Sequence, residues 1–213
     1  MSDYIMFIPY VNRIDLLRKA IESASDVRDH LVIIDNSKDG LEGEHGWPTI
    51  IHPPVPLSFA QTQNWMLKLA EGSGSTFYLF LHSDAEAGQG VVKKIIDMTN
   101  ALIKEGHKWG VIFTAYDALA VFNTTAFREV GGWDSFLEWY HSDTDMYRRL
   151  RLAGYELVES NLPVKHTPSS TLNSDPEIAM KVNLMFPCRV AYYREKWGGD
   201  AGNERFDRPF GGK

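Results

Sequence analysis

The chain reads as a single α/β domain whose central sheet is mixed, mainly parallel, and flanked by helices. Two observations predict this. The runs Tyr4 to Ile8, Leu31 to Ile34 and Phe77 to Leu81 are short, rich in branched and aromatic residues, and lack polar alternation, as strands covered on both faces do. Between them the apolar residues change to helical spacing, with Ile14, Leu17, Ile21 and Ala24 after the first run and a helical Gln61 to Ala70 before the third. Parallel neighbours need such a crossover, because a hairpin can join only antiparallel strands.

The later elements follow from the same signals. Val92, Ile95, Ile96, Leu102 and Ile103 form the apolar stripe of another helix, and Gly110 to Tyr116 and Ala118 to Asn123 read as paired strands. That pairing makes the sheet mixed. Ser142 reads as the cap of a helix running to Ala153, with Gly154 as its stop. Asp175-Pro176 opens a last helix that Pro187 would kink.

Composition narrows the function classes. A chain of 213 residues with 44% hydrophobic and 12% aromatic content can bury one sizeable core. Its net charge of -6 argues against a nucleic-acid partner, since phosphate backbones select for excess Lys and Arg. The lone Cys188 has no internal disulfide partner, and Tyr4 to Pro9 is too short for a signal-peptide core or a membrane span. A cytoplasmic protein with no integral membrane segment is expected. Residues 203–213 are polar and Gly-rich, which reads as a flexible tail or the start of a linker to a further domain.

In open α/β sheets, ligands bind beyond the carboxyl ends of the strands. The positions just after the three apolar runs hold Tyr10-Val11-Asn12-Arg13, Asp35-Asn36-Ser37 and His82-Ser83-Asp84. These loops are expected to line one cleft.

Five segments, in order, resemble family-2 glycosyltransferases of the GT-A (Rossmann-like) fold. "IPYVNRIDLLRKAIES" is similar to the opening strand and helix, and "LVIIDNSKDG" to the second strand with its acidic nucleotide-binding turn. "FYLFLHSDAE" stands where the family carries its D-x-D metal motif. "VGGWDSF" resembles the acceptor-side G-G-F/W-D segment, and "HSDTDMYRRLRLAGY" the E-D-x-D-L helix. The match runs from about Tyr4 to His166. It departs from the pattern at His82 in place of the first Asp of D-x-D, at Ser142 in place of Glu, and at Gln63 where Arg is common.

The resemblance implies a metal-dependent, inverting enzyme moving a sugar from a UDP-sugar to a hydroxyl of a glycan or glycoprotein. Residues 1–202 would be the transferase domain, with the nucleotide half at about 1–88 and the acceptor half at about 89–202. Asp84 and His166 are the implied metal ligands. Mixed imidazole and carboxylate donors suit manganese, with magnesium possible. Asp143 is the implied general base, an ordinary Asp being ionised at neutral pH. Its alternative, shared with Asp145, is a carboxylate favouring the positive end of its helix.

For the donor, the resemblance implies Pro9, Tyr10, Asn12, Arg13, Asp35, Gln63, Asn64, His82 and Ser83. Tyr10 would stack on uracil and Asp35 would accept its imide proton. The plainer readings are a buried aromatic for Tyr10 and a turn closed by its own side chain for Asp35. Trp133, Asp134, Trp139 and Tyr140 are the implied acceptor contacts, Trp133 on an exposed loop after two glycines. Two other classes compete. A non-catalytic nucleotide-sugar or carbohydrate-binding module is favoured by the lost carboxylates, whereas a sugar-1-phosphate nucleotidylyltransferase is opposed by the missing Gly-rich phosphate loop.

Overall fold

The structure, a computed structural model, describes residues 4–212. Seven strands form the main sheet in the order β3-β2-β1-β4-β7-β6-β8. They are β1 (Tyr4–Tyr10), β2 (Leu31–Asp35), β3 (Thr49–Ile51), β4 (Phe77–Leu81), β6 (Trp109–Phe113), β7 (Leu119–Asn123) and β8 (Glu156–Glu159). Strands β5 (Ala85–Ala87) and β9 (Val164–His166) make a separate two-stranded sheet. The helices are α1 (Ile14–Ser23), α2 (Phe59–Ser73), α3 (Val91–Glu105), α4 (Thr124–Glu129), α5 (Ser142–Leu152), α6 (Ser170–Ser174) and α7 (Pro176–Trp197).

The sheet is mixed, as its sequence implies. Strands β3, β2, β1 and β4 run parallel, β7 is antiparallel to both β4 and β6, and β8 is parallel to β6. Burial on both faces explains the unbroken apolar runs: every residue of β4 is buried. One face packs on Leu17, Ile21, Ile95 and Trp109, and the other on Met66, Phe127, Trp133 and Leu150.

Local chemistry sets the helix ends. Ser58 and Gln61 exchange side-chain and backbone bonds in a capping box that starts α2 two residues before Gln61. Asp175 caps α7 through the Glu177 and Ile178 amides, ahead of Pro176. Ser142 does not cap α5. The cap position belongs to His141 in the left-handed region (φ 64), and the Ser142 hydroxyl donates back to Trp139 O. Gly154 stops α5 at φ 79, as its lack of a Cβ allows.

The terminal segment is docked onto the domain. Arg205 and Phe206 donate amides to Trp197 O, Tyr193 donates to Glu204, and Arg148 donates to Phe206 O. These bonds tie residues 204–206 to α5 and α7. A buried ionic knot also joins α5, α7 and the preceding loop: Lys196 Nζ lies 2.6 Å from both Asp134 and Asp145. Asp145 further accepts from Arg149 and from Trp197 Nε1.

Candidate active site

Strand β4 ends at Leu81 and delivers His82-Ser83-Asp84 to the carboxyl edge of the sheet. The backbone there is pinned, His82 N donating to Ala118 O and Thr167 N to Asp84 O. The β5–β9 pairing sets Ala85 opposite His166 and so returns a distant imidazole to Asp84. His166 Nε2 lies 3.2 Å from Asp84 Oδ1, and His82 Nδ1 lies 3.9 Å from the same oxygen. Ser170 donates to the other oxygen at 2.6 Å.

The donor set of this trio fits a divalent cation. One ligand atom from each of His82, Asp84 and His166 lies within 4.8 Å of the others. Burial between Phe59 and Phe80 pushes the His82 imidazole down to about 4, so it is neutral with a free lone pair at neutral pH. Burial pushes the Asp84 carboxyl up, but the hydrogen bonds from His166 and Ser170 outweigh it and hold the carboxyl below its ordinary value. The buried His166 Nδ1 has no hydrogen-bond partner. Two imidazoles and one carboxylate make a mixed N,O site suited to a borderline transition metal.

A cleft of about 370 Å³ opens over this trio, and α5 supplies its far wall. Asp143 stands exposed in the first turn, with one oxygen taking the Thr144 amide at 2.8 Å and the rest of the carboxylate open to the cleft. Asp145, two residues on, is fully buried in the ionic knot, the structural part expected for it.

Tyr147, on the same face of α5 as Asp143, meets a residue that sequence reasoning missed. Asp117 lines the cleft from the turn between β6 and β7, where Tyr116 and Asp117 both adopt positive φ, 58° and 50°. Burial pushes the Asp117 carboxyl up to about 7, with the Tyr147 hydroxyl opposing and the Asp143 charge reinforcing the rise. Two non-glycine residues in the left-handed region are a costly backbone choice that the structure retains at the rim of a cleft. No periodicity or motif marks Asp117; only its place beside a turn between paired strands could have drawn attention to it.

Toward β2 a larger cavity of about 1090 Å³, lined in part by Tyr10, Asn12, Arg13, Ser37 and Arg189, shares Val11, Asn36, Leu57 and Trp139 with the cleft. Tyr10 is 8% exposed and packs in the core, so little of its ring is presented to that space. Asp35 lines neither cavity. Its two oxygens accept the Ser37 and Leu41 amides, and His52 lies 3.0 Å away, so the carboxylate closes its own loop. Asn64 is likewise engaged: it accepts from Trp133 N at 2.7 Å and donates to Trp133 O at 2.8 Å. Its amide is a clamp on the glycine loop, and a Cβ on Gly132 would sit 2.7 Å from Asn64 Oδ1. Arg13 is taken up by Asp15 and starts α1 at φ 67. Pro9, Gln63, His82 and Ser83 do line the cleft over the trio.

The acceptor-side residues divide. Trp133 is 4% exposed and wedged among Phe59, Phe122 and Phe127, which corrects the expectation of an exposed ring. It nevertheless contributes to the cleft lining. Asp134 faces away, held by Lys196, Tyr192 and the Phe136 amide. Trp139 sits at the junction of the two cavities, and Tyr140 is exposed at the cleft with its ring edge against Phe186. Glu86 pairs with Lys165 on the β5–β9 ribbon and does not reach the trio.

Unpartnered buried polar atoms gather around these spaces. Both amide atoms of Gln63 and His166 Nδ1 border the smaller cleft; Asn12 Oδ1, the Ser37 hydroxyl and two Arg189 nitrogens border the larger. Folded proteins rarely leave such groups without partners, so these are positions where water or a polar ligand completes the bonding.

No protein-family model matches the chain, and no curated protein does either. Its fold is shared with solved structures. It is similar to TarS of S. aureus with a TM-score of 0.56 and 13% identity, over 84% of this chain and 39% of that one. TarS 1-349 in complex with UDP-GlcNAc matches at 0.54 and 12%, over 74% and 56%. A protein of Desulfovibrio desulfuricans G20, described as a nucleotide-diphospho-sugar transferase, matches at 0.50 and 13%, over 75% and 80%. The chain thus spans about two fifths of the length of TarS. At these identities the likeness shows the fold, that of GT-A transferases.

Proposed function

We propose that this chain is a metal-dependent, inverting glycosyltransferase that moves a sugar from a UDP-sugar to a hydroxyl of a glycan or glycoprotein. One observation carries the reading: on a GT-A scaffold, the trio His82, Asp84 and His166 and the open carboxylate of Asp143 face the same cleft. The UDP-GlcNAc complex of TarS supports a uridine donor. Manganese is the preferred cation, held by Asp84, His166 and His82, with magnesium second. When bound, the cation supplies positive charge beside the diphosphate leaving group.

The chain's own groups do the rest. Asp143 accepts the proton of the acceptor hydroxyl as its oxygen bonds to the anomeric carbon; the bond from that carbon to the diphosphate oxygen breaks, and its electron pair leaves with UDP. Attack from the side opposite the leaving group inverts the anomeric centre. Gln63, buried and unpartnered, supplies an amide to the donor's polar groups. Pro9, Tyr10, Asn12, Arg13 and Ser83 form the donor walls, and Trp139 and Tyr140 offer ring faces to the acceptor. Asp35, Asn64, Trp133 and Asp134 act by holding loops in place. Residues from about 1 to 88 and from about 89 to 202 are the donor and acceptor halves of a cytoplasmic enzyme.

Calorimetry with UDP, with and without manganese, tests the donor site. Manganese-dependent binding that Asp84→Ala abolishes is the expected result. Binding indifferent to both metal and Asp84 would favour a non-catalytic module. Asp143→Asn should keep donor binding while lowering transfer by roughly 100-fold or more, and the anomeric configuration of the product, read by NMR, decides inversion.

A further inference from the structure

The turn between β6 and β7 is held in a conformation its residues disfavour. Tyr116 stands at φ 58 and ψ 23 and Asp117 at φ 50, in the left-handed region that bulky side chains avoid. Hydrogen bonds fix it there. Thr114 N donates to Leu119 O at 3.0 Å and Asp117 N to Thr114 O at 2.9 Å, while the buried Thr114 hydroxyl donates to Leu119 O and accepts from Leu119 N. One residue on, Ala118 O receives His82 N, so the turn is registered on the strand end that carries the metal trio.

This conformation leaves two side chains in the cleft wall. Tyr116 is 83% exposed, and its ring centroid lies 6.4 Å from that of His166. Asp117 is set against the Tyr147 hydroxyl, one helical turn from Asp143, and feels the Asp143 charge. Among the described residues no other group donates to its carboxylate. The turn thus reaches from the trio to α5. In a displacement at the anomeric carbon, the transferred sugar occupies that interval, between the diphosphate beside the trio and the acceptor oxygen beside Asp143.

The charges of the lining set the class of sugar. Asp84, Asp117 and Asp143 border the cleft, and its described lining includes no Lys or Arg. A uronic acid would add a carboxylate to three others with no side-chain cation to meet it, and like charges brought together in this way are strongly disfavoured.

Resting on the reading of this cleft as a donor site, we propose that Tyr116 and Asp117 are specificity-determining residues for the transferred sugar, which is neutral. The Tyr116 ring covers a C–H face of the sugar, and the Asp117 carboxyl takes one of its hydroxyl groups.

The test is calorimetry on the whole chain with manganese at pH 8, above the value of about 7 to which burial raises Asp117, so that its carboxylate is charged. UDP, UDP-glucose, UDP-N-acetylglucosamine and UDP-glucuronic acid are compared for the wild type, Tyr116→Ala, Asp117→Asn and Asp117→Ala. Tyr116 is exposed and Asn tolerates the left-handed region, so these variants keep the fold, and UDP affinity checks it. The affinity of each UDP-sugar relative to UDP is the readout. For the tighter neutral sugar that ratio should fall by roughly 10-fold in Asp117→Ala and by about 3-fold or more in Tyr116→Ala, with UDP itself unchanged. UDP-glucuronic acid should bind the wild type at least roughly 10-fold more weakly than UDP-glucose, and Asp117→Asn should narrow that gap. Ratios indifferent to both residues, a parallel loss of UDP, or a gap that Asp117→Asn leaves intact would overturn the assignment while the donor site stands. UDP that binds none of the proteins would remove the donor reading, and the sugar subsite with it.

Discussion

Asp84 and His166 meet at 3.2 Å because Ala85 pairs with His166 across a ribbon of three residues per strand. The ligand geometry therefore depends on a pairing outside the main sheet. His166→Ala should weaken manganese binding by about 10-fold or more, with a smaller loss for Ser170→Ala, which removes one hydrogen bond to Asp84. Manganese titration followed by electron paramagnetic resonance reads both. Equal affinity in all three proteins would show that the trio does not hold the ion.

The second imidazole should set metal preference. Nitrogen donors favour transition metals, whereas magnesium prefers oxygen. Replacing the neutral His82 with a carboxylate, His82→Asp, is expected to raise magnesium affinity relative to manganese. Competition between the two ions in the same titration checks it, and an unchanged ratio sinks the assignment of His82 as a ligand.

Asp117 should leave a signature in stability against pH. Its folded value, raised to about 7, lies above the ordinary 3.8, so the folded state holds the proton more tightly than the unfolded chain. Between these values folding is favoured by proton uptake, and stability falls as pH rises from about 4 through 7. Asp117→Asn removes that fall. Thermal melts at pH 5 and pH 8 should show a smaller drop in Tm for the variant; parallel curves would mean the group is not held protonated.

Asn64→Ala should loosen the loop between α4 and α5 without touching the core strands. Two hydrogen bonds to the Trp133 backbone are lost, one leaving a part-buried N–H unpaired, at a cost of about 1–3 kcal/mol. Denaturant melts give the cost, and a weakened near-ultraviolet signal from Trp133 gives the location. Full stability would show that the clamp is dispensable.

Lys196→Met leaves the half-buried Asp134 and the buried Asp145 without their shared cation, Asp145 keeping only Arg149. Breaking such a cluster by removing one partner costs about 3–5 kcal/mol. The matching loss should appear in denaturant unfolding, and restoring stability by adding Asp134→Asn would confirm that unpaired charge is the cause.

Much of the fold was legible because its signals are local. A strand covered on both faces must be apolar throughout, so β1, β2 and β4 declare themselves, and α3 and α7 carry their own stripe or cap. The short strands β3, β5 and β8 and the helices α4 and α6 went unpredicted, since three to six residues hold too few periods to read, whereas the apolar run Leu162 to Lys165 does read as a strand and overlaps β9. The resemblance placed Asp84, His166 and Asp143 before any geometry was known, and all three border one cleft.

Which polar groups remain open is another matter. Asp35, Asn64 and Asp134 belong to motif-bearing segments, yet each is consumed by neighbours brought together by folding, whereas Asp117 carries no motif and lines the cleft. Sequence alone determined that this chain forms a mixed α/β sheet with carboxylates and imidazoles at its strand ends, because burial patterns and residue types are properties of single segments. The tertiary structure decided which of those groups stay free to meet a ligand, because a hydrogen bond or ion pair is spent by whichever partner the fold places within reach.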